Sequence, residues 1–112
     1  MVIDFHVHYF PDNVASAAVE KLQSLSGFKF ESDGTLSSLE RSMEASGVTL
    51  SVNMPVATKP EQTESINRSI LRPVSDRVIS FAAIHPSNDR PVEILERMRD
   101  AGLKGIKNHK LK

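Results

Sequence analysis

The sequence predicts an α/β domain built on parallel strands, and three observations carry this. Short stretches rich in β-branched residues alternate with stretches of helical periodicity along the whole chain. Two helical stretches stop at a glycine, Gly47 and Gly102, and strand-type sequence follows each at once. The run Val78-Ile79-Ser80-Phe81-Ala82-Ala83-Ile84 is apolar almost throughout, as expected of a parallel strand covered on both faces. The order reads β-α-α-β-α-β-α-β, with the two early helices sharing one connection and right-handed crossovers between strands.

The first strand is Ile3-Asp4-Phe5-His6-Val7-His8, which alternates apolar and polar residues at period two. Ile3, Phe5 and Val7 then share one face, and Asp4, His6 and His8 the other. Two imidazoles two residues apart on a strand project side by side and can reach one metal ion. The alternative is a partly buried pair, hydrogen-bonded to backbone. A strand that ends in ligand-type side chains and feeds a helix is the layout of a barrel active site.

Asp12 or Asn13 is placed to cap the next helix, with Val14, Ala18, Leu22 and Leu25 at helical spacing and Gly27 as its stop. From Gly27 to Gly34 the chain reads as irregular, with Phe28 and Phe30 in a packed loop or in a lid over the strand ends. Thr35 caps a second helix whose stripe is Leu36, Leu39 and Met43. Val48 to Val56 is the second strand, closed by Pro55, with Val48, Leu50, Val52 and Met54 on one face and Thr49, Ser51 and Asn53 on the other. Thr58 and Glu61 form a capping box with Pro60 in the first turn, and Ile66, Ile70 and Leu71 face inward from the helix. Lys59, Glu61, Gln62 and Glu64 read as its solvated face. That helix ends near Arg72, because Pro73 disfavours helix before it. Arg77 to His85 is the third strand. Asn88 or Asp89 caps a fourth helix carrying Leu95 and Met98, and Leu103 to His109 is the last strand.

Length and composition bound the function. A chain of 112 residues is one domain at most. Fourteen basic residues balance fourteen acidic ones, so no basic stripe argues for nucleic acid. Cysteine is absent, so any metal must be held by nitrogen and oxygen ligands, and a reducing compartment fits. No apolar run approaches ~18 residues, and the chain enters its first strand without a leader. The expectation is a soluble cytoplasmic protein without membrane or nucleic-acid partners.

Ligands of parallel α/β folds bind at the C-terminal ends of the strands. All four histidines are expected there: His6 and His8 on the first strand, His85 on the third, His109 on the last. Asn53 ends the second strand, and Lys107 precedes His109 by two residues on the same face. His85 precedes Pro86, so it reads equally as a strand exit or as part of the site. Lys107 reads either as solvated or as a site lysine with chemistry altered by burial.

Ile-Asp-Phe-His-Val-His followed by Phe10-Pro11-Asp12 resembles the opening of the metal-dependent amidohydrolase superfamily, in its amidohydrolase-related (amidohydrolase 2) branch. The segment Asn53 to Gln62, then Ser65-Ile66-Asn67, is similar to bacterial members, as are Ile84-His85-Pro86 and Gly102 to Lys107. The resemblance covers essentially the whole chain. It implies a TIM-barrel type (β/α)₈ fold, and residues 1–112 would form its N-terminal half: four strands with flanking helices. It also implies a divalent metal, zinc foremost, at the C-terminal face, and a metal-activated water that attacks an amide, ester or related bond. Some relatives are decarboxylases instead. His6 and His8 match the strand-one metal ligands. His85, Lys107 and His109 would line the pocket of a small-molecule substrate. Lys107 also matches a position that carries a metal-bridging carboxylated lysine in some binuclear relatives, whereas this branch looks mononuclear.

Members run to about twice this length, in line with about 250 residues for a complete barrel. The family's strand-four ending resembles Gly-Ile-Lys-Leu-His-Pro, whereas Asn108 and Lys110 stand here in place of the Leu and the Pro. The tail from Asn108 therefore reads as a truncation or a frame change. The family's later ligands, a His after strand five and an Asp after strand eight, lie beyond it. The expectation is a truncated chain that is weak or inactive alone and exposes two strand edges. Such a chain would self-associate as a homodimer or pair with a complementary half-barrel.

Overall fold

The computed structural model describes residues 1–72 and 74–108. Every strand pairing among them is parallel. Strands β1 (Ile3–Val7), β2 (Leu50–Asn53) and β3 (Val78–Ser80) form one sheet in that order. Strands β4 (Ala82–Ile84) and β5 (Ile106–Asn108) form a second. Parallel neighbours need long crossovers. Helices α1 (Asp12–Ser26) and α2 (Leu36–Ser46) lie between β1 and β2, α3 (Thr63–Ile70) between β2 and β3, and α4 (Pro91–Asp100) between β4 and β5. No described helix is long and apolar enough to cross a membrane.

The single strand expected from Arg77 to His85 is instead two, broken at Phe81. The Phe81 N–H donates to the Asn53 carbonyl at 3.0 Å and closes the β2–β3 ladder. The next N–H, from Ala82, donates to the Gly105 carbonyl at 2.9 Å and opens the β4–β5 ladder. The run thus hands its hydrogen bonds from one edge to the other within two residues. Gly105 permits this, because a Cβ there would come within 2.6 Å of the Phe81 ring. Coverage is uneven along the run: Ala82, Ala83 and Ile84 are buried, while Ile79 is exposed.

The α1 stripe is rotated from the expected one. Ala15 is buried and Ala18, Val19 and Leu22 are half-buried, whereas Val14 and Leu25 are exposed. The loop after α1 fixes this. The Gly34 carbonyl accepts from the Phe10 N–H at 2.8 Å, which lays the Gly34 backbone on Val19. Phe28 and Phe30 on that loop are exposed, not packed. Gly34 has φ +82, and a Cβ on it would meet Val19 Cγ2 at 2.6 Å. Gly34→Ala should therefore cost roughly 2–4 kcal/mol, left-handed strain plus overpacking. Gly27 has φ +76 with open space around it, so Gly27→Ala should cost only the strain, about 1 kcal/mol. Urea denaturation of the pair separates the two terms, and equal losses would show that the Val19 contact gives way freely.

The helix starts also differ from expectation. Neither Asp12 nor Asn13 caps α1; Pro11 occupies the cap position without a side-chain bond. Thr35 does cap α2, its hydroxyl accepting from the Ser38 N–H at 3.2 Å. Asp33 in turn accepts from the Thr35 N–H at 3.0 Å and the Thr35 hydroxyl at 2.8 Å. The Thr35 backbone bond first, then the hydroxyl bonds, hold the Asp33 carboxyl below its ordinary value of 3.8. This stabilisation is present above the ordinary value and is lost as pH falls through the lowered one. An NMR titration of Asp33 should accordingly give a midpoint below 3.8, and a midpoint at or above it would show that the Thr35 bonds do not persist in solution.

Gln62, not Glu61, closes the start of α3. Its side-chain oxygen accepts from the Thr58 N–H, the Thr58 hydroxyl and the Lys59 N–H at 2.9, 2.9 and 3.2 Å. A 3₁₀ turn, Pro60–Gln62, precedes the helix, and Leu71 lies exposed beyond its end. Arg90 precedes α4 at the cap position, while Asn88 accepts from the Arg90 N–H at 2.8 Å. Ile94 and Met98 of α4 pack on Ala82, with Leu103 against them.

Candidate metal centre at the end of the first strand

The register of β1 decides which of its side chains gather. Asp4 stands opposite Ser51 and Val7 opposite Asn53, so three steps on β1 match two on β2. The bulge breaks the expected alternation. Asp4 and Val7, expected on opposite faces, both fall on the Ser51–Asn53 side. The Asp4 carboxylate bends back to accept from the His6 N–H at 3.2 Å. The His6 and His8 rings meet edge to face, centroids 4.9 Å apart at 76°, and both residues are exposed.

His8 has a defined tautomer. Its Nδ1 lies 2.7 Å from the Met54 carbonyl, which can only accept. Nδ1 therefore carries a proton, and in the neutral ring the lone pair is on Nε2. A backbone carbonyl that fixes one ring nitrogen so that the other can ligate is the usual support of a metal-bound imidazole. The Met54 carbonyl is placed by β2, since the Met54 N–H donates to the Val7 carbonyl at 2.8 Å. His6 and His8 thus fit a metal as two of its ligands. Among the described residues no group of three or more His, Asp or Glu stands close enough to hold one.

The remaining expected site residues are placed elsewhere. His85 follows β4 and is buried. Its Nδ1 accepts from the Ser87 N–H at 3.0 Å, so the neutral ring carries its proton on Nε2. That nitrogen is buried without a hydrogen-bond partner among the described residues. His85 so arranged is a hydrogen-bond donor, not a metal ligand. Lys107 is half-buried on β5 opposite Ala83. These two belong to the β4–β5 sheet and the histidine pair to the β1–β2–β3 sheet. His109 lies outside the described residues.

Two asparagines do structural work that spacing did not reveal. Asn53, almost fully buried, accepts from the Tyr9 N–H at 3.1 Å and donates to the Ser80 hydroxyl at 3.0 Å. It ties the exit of β1 to β3. Asn67 of α3 donates to the Ala83 carbonyl at 2.9 Å and accepts from the Ala83 N–H at 2.7 Å. The signal for Asn67 was a polar residue between Ile66 and Ile70 on the inner side of its helix, whereas Asn53 stood on the polar face of its strand. The clearest clefts are not at the histidines. One of about 340 Å³ runs past Tyr9, Leu36, Asn53 and Ile70. Another of about 480 Å³ lies between α1 and α3, past Val14, Leu22, Val56 and Ile66. Neither takes in His6, His8, His85 or Lys107.

Comparison with protein-family models, curated proteins and solved structures returns no match to this chain.

Proposed function

We propose that the chain is the N-terminal half-barrel of a metal-dependent hydrolase of the amidohydrolase type, and that it supplies the strand-one part of the metal centre. The observation that carries this is the His8 tautomer. Nδ1 is held on the Met54 carbonyl beside the His6 ring, at the C-terminal end of a parallel strand. A bound divalent metal, zinc foremost, would lower the pKa of a water and so supply a nucleophile for an amide, ester or related bond. His6 and His8 would bind the metal. The buried Nε2–H of His85 would donate to an oxygen of a small-molecule substrate, and Lys107 would offer a positive charge on the neighbouring strand. His109 is assigned to the same substrate pocket from its expected place at the end of the last strand and from the resemblance. No catalytic base is assigned within the chain, so the chain alone is expected to be weak or inactive. A decarboxylase of the same superfamily would use the same strand-one ligands. The cytoplasm, as its compartment, is an assignment from composition.

A second reading, a non-catalytic half-barrel that acts by dimerisation or complementation, is favoured by the exposure of Ile3, Phe5, Ile79 and Ile106 on the strands. Elemental analysis of the purified chain tests the metal centre. Zinc bound to the chain and lost in a His6→Ala/His8→Ala variant is expected. Equal zinc in both would remove the histidine pair from the site. Fast zinc-dependent ester hydrolysis by the purified chain would overturn the expectation of weak activity.

A further inference from the structure

Resting on the metal reading of His6 and His8, we propose that two copies of this chain share one zinc ion, each contributing both histidines. A structural zinc takes four tetrahedral ligands, and one chain presents two imidazoles side by side. A two-fold axis through the metal doubles this set with the same surface on both partners. Both residues are exposed, so a second copy can reach them. The strand that carries it is the outermost of its sheet and pairs with β2 on one edge.

The surroundings suit self-association. Met1 and Val2, just before β1, and Ile3 and Phe5 on it are exposed at 95, 54, 48 and 61%. Apolar residues concentrated this way on one strand mark an interaction surface. The one charged residue among them is Asp4, whose carboxylate sits on the His6 N–H. The chains have zero formal net charge, so no long-range repulsion opposes their approach.

Sedimentation velocity of the full chain during zinc titration tests this. The expected result is a monomer that becomes a dimer at one zinc per two chains and reverts with a chelator. His6→Ala/His8→Ala should remain monomeric at every zinc concentration, with an unchanged circular dichroism spectrum. Phe5→Asp, which leaves the imidazoles in place, should raise the protein concentration needed for the zinc dimer at least tenfold. Zinc bound one to one on a monomer would overturn the shared site and leave the metal reading standing. No zinc binding would overturn both. A dimer that forms equally without zinc, or in the double variant, would overturn the shared site.

Discussion

Asn67→Ala should be among the most damaging single substitutions in this chain. Ala83 has β5 on one edge, while its own N–H and carbonyl meet the Asn67 side chain. They point to the edge where the β2–β3 ladder has just ended. β2 cannot continue to serve them, because Pro55 follows and has no N–H to give. The Asn67 side chain, 2% exposed, takes the place of the missing strand with one donor and one acceptor. Truncation leaves two buried backbone groups unpaired, each at about 1–3 kcal/mol, so a loss of roughly 2–5 kcal/mol is expected. Domains are stable by only about 5–15 kcal/mol in all. Urea unfolding should show a lower midpoint at unchanged slope, or an unfolded chain for the larger value. Asn67→Asp keeps the acceptor but sets a carboxylate against the Ala83 carbonyl, and it should be no better. A change under about 0.5 kcal/mol in both would mean that water replaces the side chain at Ala83.

The alternation of helix and strand was legible because it rests on local chemistry: the Thr35 cap, the left-handed glycines at 27 and 47, and the stripe that buries Met43. What could not be read depends on partners far along the chain. The break at Phe81 needs Asn53 on one side and Gly105 on the other. The rotated stripe of α1 needs Gly34 seated on Val19. At the site, the adjacency of His6 and His8 followed from their spacing, but strict alternation along β1 did not hold. Strict period two put Val7 on the face opposite Asp4, and the bulge sets both on the Ser51–Asn53 side. Asn67 lay in a segment that the resemblance singled out, with nothing in the spacing to show that its role would be a backbone clamp.

The two histidines should not be equal. Both rings are exposed, so neither owes its position to burial. His8 is oriented by the Met54 carbonyl at 2.7 Å, with its proton assigned and its lone pair fixed on Nε2. No comparable bond orients the His6 ring among the described residues; its structural contact is the edge-to-face one with His8. Removing His8 therefore deletes a ligand and also the ring against which His6 is placed. Removing His6 deletes a ligand and leaves His8 held. Since loss of an outer-shell partner alone typically lowers metal affinity 10–100-fold, His8→Ala should lower zinc affinity by ~100-fold or more, and His6→Ala by ~10-fold or more. Calorimetric zinc titration reads the affinities directly. Thermal unfolding gives an independent check, because zinc at a hundred times its dissociation constant adds about 2.7 kcal/mol to the folded state. That increment should be present in the parent chain, reduced in His6→Ala and lost in His8→Ala at the same zinc concentration. If His6→Ala is the more damaging change, the Met54 bond does not organise the site, and the ligand that sets the geometry is His6.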